Sequence, residues 1–187
     1  MNTIKSSWNK LLTDTDGDAC QNAAKNGDIA CLKYLHENGC RWDEMTCTHA
    51  AEHGHLECLK YAHENGCRWD EMTCEFAALN GHIACLKYAH EHGCWWTEWA
   101  SYHAARNGDL KCLKYLHETD VQDKKKPFRW DVYTCSDAAA HGHLKCLKYL
   151  HEHGCPWDET TCDEAAANNH TSCLAYAKAN GCPCSVV

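Results

Sequence analysis

The sequence lacks a long apolar run, an excess of basic residues and a recognisable secretion signal. No apolar stretch approaches the ~18 residues of a membrane-spanning helix, so we expect no membrane insertion. Acidic residues outnumber Lys and Arg by 26 to 18, giving a formal net charge of −8, whereas nucleic-acid binders usually carry a basic surplus. Residues 1–18 contain neither an apolar core nor a small-residue cleavage site. We therefore expect an intracellular protein in a reducing compartment, the cytoplasm or the nucleus.

Cysteine and histidine are, by contrast, abundant, with 17 and 15 residues. In a secreted chain so many cysteines would indicate a disulfide scaffold. In a reducing compartment the abundance of cysteine requires another explanation, and that explanation depends on the positions at which the cysteines and histidines recur.

The sequence repeats itself six times. The tetrad Cys-Leu-Lys-Tyr, or its variant Cys-Leu-Ala-Tyr, begins at Cys31, Cys58, Cys85, Cys112, Cys146 and Cys173. Successive tetrads are 27 residues apart, except for one step of 34. The repeats therefore span 15–41, 42–68, 69–95, 96–129, 130–156 and 157–183. Residues 1–14 are predicted to form an N-terminal cap helix and 184–187 a C-terminal tail; the cap has helical spacing of Ile4, Trp8, Leu11 and Leu12.

Each repeat predicts two short antiparallel helices. In the second repeat, Asp43 is a plausible N-cap for a first helix that runs to about His53. Gly54 ends this helix, a second helix covers about Leu56 to Asn65, and Gly66 suits the left-handed position that follows a helix. The apolar arc of the second helix is wider than one packing partner requires. This pattern predicts an all-α solenoid in which each repeat is buried against its neighbours.

The repeat resembles the ankyrin repeat in a shortened form. The run Ala50-Ala51-x-x-Gly54-His55-Leu56-Glu57 matches the ankyrin core, and Thr46 lies near the family's Thr-Pro-Leu-His position. Each repeat has 27 residues where an ankyrin repeat has about 33. The missing residues fall at the β-hairpin fingers, which we expect to be shortened or absent.

The resemblance also carries an expectation about function. The Cys-Leu-Lys-Tyr tetrad is similar to that of arrays in large DNA viruses and some protists, which would place a viral protein in its host cell. Ankyrin repeats imply a non-catalytic scaffold that binds a protein through the first-helix face and the loops, without a cofactor.

Sixteen of the 17 cysteines fall into three columns of the repeat, and Cys184 stands alone. One column is the tetrad itself. The Thr-Cys column holds Cys20, Cys47, Cys74, Cys135 and Cys162, with Ser101 in the fourth repeat. The Gly-Cys column holds Cys40, Cys67, Cys94, Cys155 and Cys182, with Val121 in the fourth repeat. Because free Cys is among the most buried residue types, the preferred interpretation is small core positions.

Zinc is the alternative interpretation of these columns. The end of one second helix meets the start of the next first helix, so a His, a Gly-Cys thiol and a Thr-Cys thiol could converge there. The candidate sets are His36/Cys40/Cys47, His63/Cys67/Cys74 and His151/Cys155/Cys162. Disulfides such as Cys40–Cys47 rank below both interpretations.

The partner-binding residues are predicted from the positions that vary most between first helices. By resemblance to ankyrin repeats, these positions point to the concave face. The candidates are Asn22, Lys25, His49, Glu52, Phe76, Leu79, Trp99, His103, Arg106, Asp137 and Glu164. Phe76 and Leu79 suggest an apolar anchor, although local packing against the next loop would explain them equally well. Trp99 is an extra tryptophan that could be exposed, whereas the column Trp42, Trp69, Trp96, Trp130 and Trp157 is expected to be structural.

Two basic features do not change the expectation that the protein binds no nucleic acid. The insertion at 119–129 carries Lys124, Lys125 and Lys126, which most simply form the solvated tip of a loop. A lysine column begins with Lys33, and a glutamate column follows four residues later, so i,i+4 pairs are expected to neutralise it. The 15 histidines predict a further property, a loss of stability on acidification toward pH 5, because histidines that face each other along the stack would repel.

Overall fold

The computed structural model describes Trp8, residues 18–122 and residues 130–184, with backbone alone at 120–122. These residues form helices in pairs, and the part of the chain that is described contains no strand. The helices are α1 (Asp18–Lys25), α2 (Ile29–Glu37), α3 (Glu44–Glu52), α4 (Leu56–Glu64), α5 (Glu71–Leu79), α6 (Ile83–Glu91), α7 (Glu98–Arg106), α8 (Leu110–Gln122), α9 (Val132–Ala140), α10 (Leu144–Glu152), α11 (Glu159–Ala167) and α12 (Thr171–Ala179). None of them is long and apolar enough to cross a membrane.

The chain divides into two units, 1–96 and 97–187. In the first unit, the first helices α1, α3 and α5 pack side by side, and so do the second helices α2, α4 and α6. The second unit has the same arrangement, with α7, α9 and α11 in one layer and α8, α10 and α12 in the other. Each unit therefore shows the layered helix pairs of a helical-repeat solenoid, as the sequence predicts.

Local sequence signals fix the ends of these helices. The carboxylate of Asp43 accepts a hydrogen bond from the backbone N–H of Met45 at 3.1 Å, so Asp43 is the predicted N-cap of α3. Gly54 and Gly66 follow α3 and α4 with φ of +73° and +86°. This left-handed conformation costs glycine little because it has no Cβ. Both helices end one residue before the predicted boundary, within the usual uncertainty of helix ends.

The core consists mainly of leucine, alanine and cysteine, with buried threonines among them. Leu59 of the tetrad and the Ala50-Ala51 pair have no exposed surface. Small alanines let neighbouring first helices approach closely, whereas the leucines fill the space between the two layers. The free thiols are buried with one exception, Cys40, which is half-buried. The interpretation of the cysteines as core residues is therefore confirmed.

Short connections replace the β-hairpin fingers. Six residues, 38–43, join α2 to α3 without a strand. In the fourth repeat, α8 has 13 residues where the other second helices have nine, so the insertion begins as added helix rather than as a loop. Residues 123–129, including Lys124, Lys125 and Lys126, lie outside the described residues, and so does the proposed cap helix apart from Trp8.

Candidate partner-binding surface

Histidine, tryptophan and tyrosine form a cluster where one repeat meets the next. The ring of His63 stacks on Trp69 with ring centres 3.7 Å apart. Nδ1 of His63 lies 3.1 Å from the hydroxyl of Tyr88, which belongs to the following second helix. The rings of Trp69 and Tyr88 meet edge to face at 6.1 Å. The hydrogen bond to Tyr88 and the stack on Trp69 thus tie His63 to the following repeat, and the Trp69–Tyr88 contact lies within that repeat.

The same cluster recurs in both units. Its histidine–tyrosine contacts of 2.8–2.9 Å join His36 to Tyr61, His117 to Tyr149, and His151 to Tyr176. Its stacked or tilted tryptophans are Trp42 against His36, Trp96 against His90, Trp130 against His117, and Trp157 against His151. These contacts explain the tryptophan column as structural. They also assign a packing role to the histidines that recur at one position of the repeat, His36, His63, His90, His117 and His151.

Burial gives two of these histidines a pKa below the ordinary value of 6.5. The pKa of His63 is lowered by burial first and then by the nearby ring of His92, whose centre is 5.4 Å away. The pKa of His117 is lowered for the same two reasons, with His153 at 5.2 Å. Both junctions therefore favour neutral imidazole, which is the form that can accept or donate one hydrogen bond to tyrosine.

In four repeats the Gly-Cys thiol pairs with the Thr-Cys thiol of its own repeat. Cys67 forms a thiol–thiol hydrogen bond with Cys47, and its Sγ also donates to the backbone carbonyl of Asp43 at 3.0 Å. Cys94 pairs with Cys74 in the same way. This hydrogen bond and burial raise the pKa of both Cys47 and Cys74, so these thiols stay protonated near neutral pH and are poor nucleophiles.

The expected convergence of His63, Cys67 and Cys74 is therefore wrong. Cys67 turns back into its own repeat, and His63 is held by tyrosine and tryptophan. Among the described residues, the three candidate zinc sets do not form groups of closely spaced ligand atoms. This pairing within a repeat also explains why the fourth repeat lacks both cysteines. Ser101 and Val121 stand at the two positions that form one thiol pair in other repeats. In the zinc interpretation, the same two substitutions would remove one ligand from each of two different sites.

A different cysteine cluster lies in the last repeat. Cys162 and Cys184 form a disulfide, and Cys182 lies beside them, with the three sulfur atoms within 4.8 Å of one another. Cys184, alone in the sequence columns, is therefore placed against a Thr-Cys and Gly-Cys pair. Sequence spacing did not indicate this cluster, because its third member lies outside the repeat.

The lysine column is not organised as predicted. The ammonium groups of Lys33, Lys114 and Lys148 each lie 5.3 Å from the ring centre of a tyrosine in the next repeat. Lys60 lies 3.3 Å from Glu57, three residues before it. For these three lysines a cation–π contact thus takes the place of the predicted i,i+4 ion pair, and a desolvated ring face makes such a contact favourable.

None of the predicted partner-binding residues is buried in the core. The exposed ones are Asn22, Lys25, Trp99, Arg106 and Glu164, and the half-buried ones are His49, Glu52, Phe76, Leu79, His103 and Asp137. Nδ1 of His49 lies 3.0 Å from the carboxylate of Glu52, so this pair is partly satisfied within α3. Phe76 and Leu79 are only partly available to a binding partner, because packing covers part of each side chain.

Among the described residues of the second unit, the most exposed large apolar side chains lie at the starts of two adjacent first helices. Trp99 is the second residue of α7 and is 54% exposed; Tyr133 is the second residue of α9 and is 63% exposed. The ring of Trp99 contacts Tyr102 at 5.5 Å and His103 at 6.3 Å between centres. We call these four residues, Trp99, Tyr102, His103 and Tyr133, the aromatic patch.

Polar contacts hold the middle of the aromatic patch in place. Tyr102 hydrogen-bonds to Asp137 on the adjacent helix α9 and to Arg106 one turn further along α7. The hydrogen bond to Asp137, burial and the Asp137 charge raise the pKa of Tyr102 above its ordinary value. Tyr102 thus remains a neutral hydroxyl, and the exposed Trp99 packs against a fixed ring.

The aromatic patch was predicted only in part from the sequence. Trp99, His103, Arg106 and Asp137 were among the candidates, whereas Tyr102 and Tyr133 were not. The sequence signal was the position two residues before the Thr-Cys column, which reads Asp18, Met45, Met72, Trp99, Tyr133 and Thr160. In the second unit this position carries the exposed aromatic side chains of Trp99 and Tyr133, and exposed apolar side chains of this size mark a surface rather than a core.

Comparison of the sequence with profiles of known protein families identifies the family to which the repeated helix pairs belong. A profile described as "Ankyrin repeats (3 copies)" matches residues 20–98, and one described as "Ankyrin repeats (many copies)" matches residues 135–177. The chain is a member of the ankyrin-repeat family. The sequence-based assignment is thus confirmed for the family, whose members are generally non-catalytic. Comparison with curated proteins found no significant match.

Solved structures share the ankyrin-repeat fold. The crystal structure of the human ASB11 ankyrin repeat domain matches with a TM-score of 0.71 at 19% identity, over 87% of this chain and 83% of that one. A chain from the complex of the Bdellovibrio bacteriovorus predatory endopeptidase Bd0816 with the immunity protein Bd3460 matches with a TM-score of 0.69 at 17% identity, over 87% of this chain and 98% of that one. At these identities the similarity concerns the fold alone.

Proposed function

We propose that this ankyrin-repeat protein is a non-catalytic scaffold that binds a protein partner through its first-helix face and loops, with the aromatic patch as the central contact. The supporting observation is the exposure of Trp99 and Tyr133 at equivalent positions of packed helices. Tryptophan, tyrosine and arginine are the residues that most often dominate protein–protein binding energy. A large exposed aromatic surface is otherwise unfavourable in water.

The partner that suits this surface is a protein segment with apolar or aromatic side chains and a polar border. Trp99 and Tyr133 begin two helices that pack against each other, and both side chains are exposed. Arg106 and Asp137 on the same two helices offer one charge of each sign. An extended or helical segment would place an apolar side chain against the aromatic rings and polar groups against these charges.

The histidines of the junction clusters and the cysteines of the thiol pairs support a scaffold rather than an enzyme. They recur at the same positions of several repeats and have packing roles there, whereas catalysis requires one group of residues that differs from the rest. A chain of an enzyme–immunity protein complex is among the similar structures, so the fold occurs in protein–protein complexes. Fifteen cysteines are free thiols rather than members of a disulfide, which supports our further proposal of a reducing intracellular location.

The experiment is quantitative affinity capture from extracts of the cells that produce the protein. The test variant is Trp99→Ala with Tyr133→Ala. The matched control is Lys111→Ala with Lys145→Ala, two exposed residues on the second helices of the same repeats. Equal melting midpoints establish that all three chains are folded. We expect at least one protein that is retained by the wild type and the control and lost with the test variant; the same retained set for all three chains would contradict the proposal.

A further inference from the structure

The last repeat contains a three-thiol cluster that the other repeats lack. Four repeats carry a pair of one Thr-Cys and one Gly-Cys thiol, whereas the last adds Cys184 to the pair of Cys162 and Cys182. The three sulfur atoms lie within 4.8 Å of one another. In the structure, two of them are joined as the Cys162–Cys184 disulfide.

The cluster is built into the fold and remains open on one side. Cys162 belongs to α11 and packs with Ala177 of α12 and with Cys182 in a small core. Trp157 and Leu174 cover this core. Cys184 is half-buried and borders the solvent. A fixed pair of sulfur atoms with a third, more accessible one is an arrangement that a metal ion can enter.

We propose that Cys162, Cys182 and Cys184 form a zinc site when the disulfide is reduced. Opening the Cys162–Cys184 bond takes two electrons and two protons from two molecules of a thiol reductant, which are oxidised to their disulfide, and returns two thiols. One Zn²⁺ then binds the three sulfurs as thiolates, releasing their protons, and a water molecule completes the tetrahedron. Zinc–thiolate bonds of 2.3 Å place sulfur atoms about 3.8 Å apart, which this cluster reaches by small side-chain movements.

The thiol pairs of the other repeats do not offer the same site. Each pair provides two sulfurs, and a structural or catalytic zinc site takes three or four protein ligands. Soft thiolate ligands favour zinc over hard cations such as magnesium. The zinc site is independent of the aromatic patch, which lies on other residues, so either proposal can fail without the other.

Native mass spectrometry of the reduced chain, incubated with Zn²⁺ and then passed through a weak chelator, tests the site. The test variant is Cys184→Ser, which changes a half-buried residue. The matched control is Cys155→Ser, which removes the Gly-Cys thiol of the preceding repeat. We expect one zinc ion on the wild type and on Cys155→Ser, and none on Cys184→Ser or on the oxidised wild type.

Alkylation of the wild-type chain provides a second readout that needs no variant. Bound zinc should protect the peptides that carry Cys162, Cys182 and Cys184 from a thiol reagent, compared with the same reduced protein after chelation, and it should raise the melting midpoint. Two results would overturn the proposal: a reduced wild type without zinc, or an equal zinc content in Cys184→Ser. In either case the cluster would be a disulfide site only.

Discussion

Replacing Gly54 by alanine should destabilise the protein more than the same change at Gly66. Both glycines have positive φ, +73° and +86°, and an alanine in this conformation costs about 1–2 kcal/mol. The smaller entropy of the unfolded chain offsets about 0.4–1 kcal/mol of that cost. Both variants therefore share a net loss of about 1 kcal/mol from backbone conformation.

Gly54→Ala adds a collision with the next repeat. A Cβ at Gly54 would lie 2.5 Å from Nδ1 and 2.7 Å from Cε1 of His82, whereas a Cβ at Gly66 meets nothing within 4 Å. Overpacking of this kind costs about 1–3 kcal/mol. We therefore expect Gly54→Ala to lower the free energy of unfolding by about 2–4 kcal/mol in total.

Urea unfolding of a double-mutant cycle measures this difference. Truncation of His82 to alanine removes the colliding ring, so in that background the cost of Gly54→Ala should fall to about 1 kcal/mol, the value expected for Gly66→Ala. Equal midpoints for Gly54→Ala and Gly66→Ala in the wild-type background would refute the reasoning. So would a cost of Gly54→Ala that His82→Ala leaves unchanged.

Three further changes test the packing of the repeats. Acidification should reduce stability, because burial lowers the folded-state pKa below the ordinary 6.5 and the unfolded chain then binds protons more readily. The histidines concerned are His63, His117 and His143. The melting midpoint should therefore fall between pH 7.5 and pH 5.5, and an unchanged midpoint would exclude this effect. Tyr88→Phe should cost about 1 kcal/mol by removing the hydroxyl beside His63, whereas Tyr133→Phe, at an exposed position, should leave the urea midpoint unchanged. Leu59→Ala should cost about 2–5 kcal/mol by emptying a fully buried site, and a loss below 1 kcal/mol would place this leucine outside the core.

The fold was predictable because the same local sequence signals occur in several repeats. Asp43 and its counterparts cap the first helices, glycines end the helices, and the spacing of the tetrads gives the boundaries. These signals act within a few residues of one another. The burial of Leu59 and Cys58 also follows from their position on a helix that is covered on both flanks.

The contacts between repeats were harder to predict. His63 meets Tyr88 across 25 residues, and helical periodicity does not specify which side chain of the next repeat a ring will reach. The choice of Cys47 rather than Cys74 as partner of Cys67 depends on the direction in which the chain leaves α4. One sequence signal was available, because Ser101 and Val121 replace both members of a thiol pair in the same repeat.

The partner-binding surface was predictable in outline only. Trp99 was indicated as an extra tryptophan outside the tryptophan column, the other candidates by their variable positions on the first helices, and the fold leaves all of them outside the core. Exposure separates them further, since Phe76 and Leu79 are half-buried and Trp99 is 54% exposed. These differences in exposure depend on the side chains of adjacent helices, so the sequence of one repeat alone does not predict them.

The affinity of a partner obtained by capture tests the central claim most directly. Isothermal titration calorimetry with the wild type, Trp99→Ala and Lys111→Ala would give the three dissociation constants under one set of conditions. If the aromatic patch is the central contact, Trp99→Ala should weaken binding by about 30-fold or more, the equivalent of about 2 kcal/mol, and Lys111→Ala should leave it unchanged. Equal affinities for Trp99→Ala and the wild type would contradict the account.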